Sequence, residues 1–217
     1  SGDSENVACR VLNAAFQLME KPIRCLPLLP GDLTKFPKML EKMKINGLIV
    51  DPGYSGDLTG MAAVKDELSE SSERIDVLME GGNSWKAINT LFQAIDETGQ
   101  AVTGQAEWTS RGSITVIGNS SMARGAAKFF VSKGAAVSVA GPSDNRAASI
   151  AREAGVRHVS WNAVHDNRTD TLVIADFGME CGTAKGQLNP MIIRERMTVV
   201  DLSVGMVGSA FAEEATA

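Results

Sequence analysis

The stretch SITVIGNSSMARGAAKFF, residues 113–130, decides the fold class. Residues 113–117 form a largely apolar, β-branched run that predicts a buried strand. Gly118 ends that run, and residues 122–132 then place apolar side chains at the spacing of a helix. A strand that passes through a glycine turn into a helix is the repeating unit of parallel α/β sheets. The chain is therefore predicted to contain such a sheet.

The same alternation continues downstream of residue 130. Further strands are predicted over residues 135–140, 157–159, 171–175 and 198–202, with a further helix over residues 144–153. Short apolar strands separated by helices are typical of a Rossmann-like, doubly wound parallel sheet. This pattern defines a predicted C-terminal domain of residues 107–217.

The residues before this domain have a less regular pattern and are predicted to form an N-terminal α/β domain of residues 1–106. The predicted elements are helices over residues 7–20, 33–43, 61–68 and 72–79, a buried strand over 48–50, and a hairpin between 88–95 and 101–102. An apolar run at residues 23–29 precedes the second helix. The resulting strand-helix-strand order implies a parallel sheet in this domain as well.

Composition and charge exclude several classes of function. With 217 residues, 44% of them hydrophobic, the chain can bury the cores of one large or two small domains. A net charge of −5 without a basic run argues against nucleic-acid binding. No apolar run approaches the ~18 residues that a membrane span needs. We therefore predict a cytoplasmic protein that binds small molecules or proteins and neither nucleic acid nor membrane.

The three cysteines, Cys9, Cys25 and Cys181, are far apart in the sequence. An odd number at such spacing fits reduced core thiols better than a disulfide framework. The chain has only two histidines and no paired zinc ligands, so no metal site is predicted.

The turn after residues 113–117 is placed to bind a phosphate group. A helix N-terminus presents unpaired N–H groups and a positive dipole to an anion, and dinucleotide-binding proteins use a glycine-rich turn there. Ser120 and Ala123 stand where the fingerprint has its second and third glycines. The alternative is a plain turn in which Ser120 or Ser121 caps the helix. The candidate cofactor residues in this turn are Gly118, Asn119, Ser120, Ser121 and Met122.

A second candidate cofactor segment follows residues 135–140. Gly141, Ser143, Asp144 and Arg146 lie where such proteins recognise the adenosine ribose. Asp144 suits the 2′-hydroxyl of NAD, whereas Arg146 suits the 2′-phosphate of NADP. Asp144 is also a good N-cap for the following helix, which explains it without a ligand.

The loop over residues 51–60 is the first place to expect chemistry. It carries three glycines and a proline and follows the strand predicted over residues 48–50. Open α/β sheets bind ligands beyond the carboxyl ends of their strands, which is where this loop would lie.

Six short segments occur in an order and spacing that point to one family. They are residues 12–16, 45–50, 87–90, 118–124, 178–179 and 199–202. Together they resemble shikimate dehydrogenase, most closely the form fused to a type I 3-dehydroquinate dehydratase. The resemblance implies an N-terminal α/β substrate domain, an NADP-binding Rossmann domain, and interconversion of 3-dehydroshikimate and shikimate in aromatic amino-acid biosynthesis. It also implies that the chain begins after the family's first strand and ends before its closing helices.

The resemblance also assigns site residues. The family's catalytic lysine would fall within the loop over residues 51–60, and its catalytic aspartate one position from Glu107, but neither residue type is present there. The helix that carries this aspartate has no room between residues 104 and 113. The implied catalytic candidates are Tyr54, Ser55 and Glu107, and the implied substrate-binding candidates are Asn6, Asp51 and Asn89.

These replacements leave two functions open. One is a divergent shikimate dehydrogenase that uses NADP, or NAD, on a small-molecule substrate. The other is a catalytically inactive domain that acts as a ligand sensor or as a partner of a fused or separate 3-dehydroquinate dehydratase. Loss of a general acid–base group lowers rates by roughly 10²–10⁴-fold, which favours the second on chemical grounds.

Overall fold

The computed structural model describes residues 7–29, 31–51, 54–82, 84–104, 112–176, 182, 187–202 and 211. The chain divides into two compact units, Ser1–Ile45 and Asn46–Ala217. The domain boundary predicted between residues 106 and 107 falls outside the described ranges and remains a prediction. No helix in the described ranges is long and apolar enough to cross a membrane.

The first unit contains two helices joined by an extended segment. Helix α1 (Val7–Leu18) lies within the predicted range, and α2 (Phe36–Met43) carries proline in its first turn, where a missing N–H does no harm. Asp32 accepts the N–H of Thr34 and so caps the turn before α2 rather than α2 itself. The strand implied at residues 23–29 is wrong, because the N–H of Ile23 bonds locally to Lys21 instead of to a neighbouring strand.

The second unit begins with a mixed four-stranded sheet. Its strands are β1 (Gly47–Ile49), β2 (Ala62–Lys65), β3 (Val77–Glu80) and β4 (Trp85–Ile88), in the order β1-β3-β4-β2. Strand β3 is antiparallel to both neighbours, and only β2 and β4 run parallel. The parallel sheet predicted here is thus wrong. Only four residues of sequence separate the end of β3 from the start of β4, and so short a connection can join antiparallel strands only.

The helices around this sheet are α3 (Ser55–Leu58), followed by a 3₁₀ turn (Thr59–Met61), α4 (Glu67–Ser72) and α5 (Leu91–Thr103). The helices predicted over residues 61–68 and 72–79 are wrong. Strand β2 occupies residues 62–65 of the first range, strand β3 occupies residues 77–79 of the second, and α4 lies between the two strands. Asp66 sets the start of α4 by accepting the N–H of Ser69 at 2.7 Å. The predicted hairpin is also wrong, because Phe92 and Ile95 are buried on one face of α5 at helical spacing.

The second sheet is five-stranded and wholly parallel, as predicted. Its strands are β5 (Ser113–Ile117), β6 (Ala136–Ala140), β7 (Arg157–His158), β8 (Thr171–Ile174) and β9 (Thr198–Asp201), in the order β7-β6-β5-β8-β9. Helices α6 (Ser121–Ser132) and α7 (Asp144–Ala154) follow β5 and β6. Apolar clusters cover both faces, one containing Phe129 and Phe130, the other Leu188 and Phe211. The strand order reverses between β5 and β8, which makes this pair of strands the topological switch point.

Helix α4 packs directly on α6 and so joins the two sheets of the second unit. Gly125 of α6 lies against Ser72 so closely that a Cβ atom there would approach the Ser72 Cβ to 2.6 Å. Arg124 donates from Nε to the carbonyl oxygen of Ser71 at 2.6 Å and pairs with Glu73 at 2.7 Å. The rings of Phe92 and Phe129 stack at 5.2 Å between centroids.

Candidate functional site

The turn between β5 and α6 is a capped helix N-terminus. Gly118 donates its N–H to the carbonyl oxygen of Ala140 at 2.8 Å, which holds the turn against the end of β6. Ser120 is the N-cap residue, and its hydroxyl accepts the N–H of Ala123 at 3.4 Å. The predicted capping role of Ser120 is confirmed, and the N–H groups of the turn point toward the switch point.

A carboxylate that follows the neighbouring strand β8 accepts hydrogen bonds from this turn. Asp176 lies two residues after the end of β8 and is half-buried. Its Oδ2 accepts the N–H of Asn119 at 2.6 Å and its Oδ1 accepts the N–H of Ser120 at 3.0 Å. Gly118 permits this approach, because a Cβ atom there would overlap the Asp176 carboxylate.

The turn as it stands does not fit the pyrophosphate of a nicotinamide dinucleotide. The N–H groups of Asn119 and Ser120 are the donors that such a turn offers to phosphate, and both already bond to Asp176. A phosphate placed there would also face a negative carboxylate at close range, which is unfavourable. Binding in the usual pose therefore requires Asp176 to move away.

Asn119 ties the turn to the second candidate cofactor segment. With its amide oriented so that both groups are satisfied, its nitrogen donates to the Ser143 carbonyl at 3.1 Å and its oxygen accepts the Ser143 N–H at 2.9 Å. Gly141 is buried beneath it, and a Cβ atom at Gly141 would overlap the Asn119 side chain. The structure thus brings Gly118, Asn119, Gly141 and Ser143 together, as a ribose and phosphate site would require.

The two charged candidates of this segment differ in their surroundings. Asp144 accepts the N–H of Trp161 at 2.8 Å and lies 3.4 Å from His158 Nε2. Its predicted role as N-cap is wrong, since Ser143 holds that position and Asp144 turns instead toward the loop after β7. Arg146 is exposed, and none of the described residues bonds to its side chain.

Ser121 and Met122 complete the candidate turn. Ser121 is half-buried, whereas Met122 is 6% exposed and belongs to the apolar cluster of the second sheet. The Met122 side chain therefore packs in the core, and only its backbone faces the turn.

The loop after β1 holds its candidates in structural roles. Ser55 is buried, and its hydroxyl donates to the carbonyl oxygen of Ile75 at 2.8 Å while it accepts the Ile75 N–H at 2.7 Å. Tyr54 is half-buried at the N-cap of α3, and its N–H bonds to the carbonyl oxygen of the exposed Asp51. Both hydrogen-bonding capacities of the Ser55 hydroxyl are thus used by the main chain.

Asn89 is likewise engaged within the fold. It is buried, and its Nδ2 donates to Ser72 Oγ at 3.0 Å and to the carbonyl oxygen of Arg74 at 3.3 Å. Its Oδ1 accepts the N–H of Leu91 at 3.2 Å, at the start of α5. Asn6 and Glu107 lie outside the described residues, so their predicted roles stay predictions.

An open cleft of about 340 Å³ lies beside α4 and α6. Four glutamates line it, together with Arg124 and Lys128. Arg124 is held by Glu73 at 2.7 Å and lies 3.6 Å from Glu153. The net negative lining is unsuited to a carboxylate substrate or a phosphate.

Sequence reasoning missed Asp176, the residue that most alters the turn. The available signal was an acidic residue just after a strand predicted to end at the same sheet edge as residues 113–117. Lys65, the lysine nearest to the loop over residues 51–60 on its downstream side, lies exposed on β2 and not on a helix.

Comparisons with known proteins rest on structure, since no family model and no curated protein match the chain. Shikimate dehydrogenase from Aquifex aeolicus is 15% identical, with 98% of this chain and 79% of that chain covered and a TM-score of 0.76. The fold is that of the shikimate dehydrogenases. Shikimate dehydrogenase from Thermus thermophilus, solved with shikimate, is 14% identical, covers 98% of this chain and 79% of that chain, and gives a TM-score of 0.72. Quinate dehydrogenase from Corynebacterium glutamicum, solved with NAD, is 14% identical. The match covers 100% of this chain and 82% of that chain, with a TM-score of 0.73.

The shikimate dehydrogenase fold predicted from the sequence is therefore confirmed. At 14–15% identity the likeness concerns the fold alone. Function then rests on the side chains of the site, because one fold hosts many activities.

Proposed function

We propose that this chain is a catalytically inactive domain with the shikimate dehydrogenase fold, whose role is to bind a protein partner. The observation that carries the claim of inactivity is the carboxylate of Asp176 on the N–H groups of Asn119 and Ser120. An internal carboxylate supplies what a bound phosphate would otherwise supply to the helix N-terminus. The N–H groups of Asn119 and Ser120 therefore have a hydrogen-bond acceptor without a dinucleotide.

The substrate side supports the same proposal. Hydride-linked interconversion of an alcohol and a ketone needs a group that gives or takes the hydroxyl proton. Ser55 is buried with its hydroxyl bonded twice to Ile75, and Asn89 is bonded to Ser72 and Arg74. Among the catalytic candidates that lie in the described residues, Tyr54 alone makes no such side-chain hydrogen bond to another described residue.

The partner class suggested by the sequence resemblance is a 3-dehydroquinate dehydratase, fused or separate. A mixture of the chain with a type I 3-dehydroquinate dehydratase should elute from a size-exclusion column earlier than either protein alone. Separate elution would remove this partner class and leave the claim of inactivity intact.

The experiment that tests inactivity is a turnover assay of the purified chain. Shikimate is supplied with NADP or NAD, and 3-dehydroshikimate with NADPH or NADH, while the reduced nicotinamide is followed by absorbance. We expect no rate above that of a protein-free blank. A rate that saturates with substrate would overturn the proposal.

A second candidate is the NADP-linked interconversion of 3-dehydroshikimate and shikimate itself. It is favoured by Arg146, which is exposed at the start of α7 and is not bonded by any described residue. A guanidinium in that place suits the 2′-phosphate of NADP. A rate with NADP that falls sharply when NAD replaces it would support this candidate over the first.

A further inference from the structure

Two cysteine thiols face each other in the first unit. The Sγ atoms of Cys9 and Cys25 are 3.1 Å apart, although the residues are separated by 16 positions in the sequence. Both residues are half-buried and neither is in a disulfide. A sulfur–sulfur bond measures about 2.05 Å, so the two sulfur atoms need to approach by only about 1 Å to be joined.

Asn13 holds Cys25 in this place. Its Nδ2 donates to the carbonyl oxygen of Cys25 at 2.9 Å, and its Oδ1 accepts the Cys25 N–H at 2.7 Å. Cys9 and Asn13 are four residues apart in α1 and so lie on the same face of the helix. One helix face therefore carries both a thiol and the amide that positions the second thiol above it.

We propose that Cys9 and Cys25 form a reversible intrachain disulfide by exchange with a small disulfide of the glutathione class. This assigns a modification site to the first unit, separate from the turn after β5.

The exchange balances in two steps. The thiolate of one cysteine attacks a sulfur of oxidised glutathione, which forms a mixed disulfide and releases one glutathione thiolate. The thiolate of the other cysteine then attacks the protein sulfur of the mixed disulfide, which forms the Sγ–Sγ bond and releases the second glutathione. The protein loses two electrons and two protons, and the oxidised glutathione gains both as two thiols.

The reaction should depend on pH. Burial, together with the adjacent thiol of Cys9, raises the pKa of Cys25 to about 11. Cys25 is therefore a thiol at neutral pH, and we expect the rate of bond formation to rise with pH because the thiolate is the reacting form.

The test uses the full chain with Cys181→Ser, which leaves only the two thiols of the proposed pair. The chain is equilibrated in mixtures of reduced and oxidised glutathione and quenched with an alkylating agent. Its intact mass is then measured by mass spectrometry. The expected product has lost about 2 Da, takes up no alkyl group and carries no glutathione. Its equilibrium constant should exceed that of the same chain in urea by at least about tenfold, because the fold holds the sulfur atoms together.

Two variants locate the cause. Asn13→Ala should lower the equilibrium constant for disulfide formation in the folded chain, because the main chain of Cys25 loses both of its hydrogen bonds to the Asn13 side chain. Gln17→Ala, one turn further along α1 and exposed, should leave it unchanged. Equal constants in the folded and urea-unfolded chain would overturn the proposal, and so would glutathione adducts that never resolve into the intrachain bond.

Discussion

At the turn after β5, Asp176 satisfies two N–H groups that a helix N-terminus leaves without partners. Asp176→Asn removes the negative charge and leaves one amide oxygen for two donors. We expect binding of NADP to strengthen by at least about tenfold, since charge repulsion of this kind is worth a few kcal/mol. Unfolding in urea should become easier by about 1–3 kcal/mol through loss of a charged acceptor.

Asp201→Asn is the matched control, because Asp201 ends β9 at the same edge of the sheet. It should leave NADP binding as it is in the unchanged chain. Nucleotide binding that stays undetectable in Asp176→Asn would mean that the carboxylate stabilises the turn without excluding phosphate.

Ser55 was predicted from the family resemblance as a catalytic candidate, but its bonds to Ile75 give it a structural task. Ser55→Ala leaves a buried N–H and a buried carbonyl of Ile75 unpaired, which should lower the free energy of unfolding by about 1–3 kcal/mol. Ser160→Ala, at an exposed position, should change it by less than about 0.5 kcal/mol. An equally small loss at Ser55, measured by urea unfolding, would contradict this role.

The raised pKa of Cys25 makes the stability of the reduced chain depend on pH. The pKa moves from 9.0 to about 11 on folding, so between these values the unfolded chain loses its proton while the folded chain keeps it. The contribution of Cys25 to the free energy of unfolding is fully present below pH 9.0 and is lost as the pH rises toward about 11. Thermal midpoints of the reduced chain should therefore fall more steeply over this interval than those of Cys25→Ala, and parallel curves would refute the shift.

Among the elements, α4 and α6 meet at a glycine for a steric reason. Gly125→Ala would bring a Cβ atom to 2.6 Å from Ser72 Cβ and 3.1 Å from Ser72 Cα, so the helices would have to separate. We expect a loss of about 1–3 kcal/mol from overpacking, despite the better helix propensity of alanine. Gly56→Ala in α3 is the control, since a Cβ atom there meets nothing within 4 Å and should not destabilise the protein.

The central strands of the parallel sheet, β5, β6 and β8, were predictable because nearly all of their residues are buried. All four residues of β8 are buried, and three of them, residues 172–174, form an apolar run in the sequence. Strand β2 was missed because three of its four residues are exposed and its sequence, Ala-Ala-Val-Lys, has no alternation of apolar and polar residues. In α5, the sequence Asp-Glu-Thr-Gly at residues 96–99 imitates a hairpin turn, but burial of Phe92 and Ile95 determines the helix.

At the scale of the whole molecule, the candidate site depends on strand order more than on any local motif. Asn119 and Asp176 are 57 residues apart and meet because β5 and β8 are neighbours in the sheet. The turn after β5 was predictable from its own glycine and serines, whereas its contact with Asp176 also depends on β5 and β8 being neighbours, which no local motif specifies. Ser55 and Asn89 were likewise placed near the site by resemblance, but their partners Ile75 and Ser72 are known only from the folded chain.

The most direct test of the central claim is the thermal midpoint of the unchanged chain with and without saturating NADP, and the same with NAD. Because Asp176 holds the donors that phosphate needs, we predict no shift with either nucleotide. A ligand at about 100 times its Kd stabilises a folded protein by about 2.7 kcal/mol, or roughly 5–10 °C for a chain of this size. A rise of that size in the thermal midpoint with either nucleotide would contradict the account and favour the hypothesis that the chain is a nicotinamide-dependent dehydrogenase.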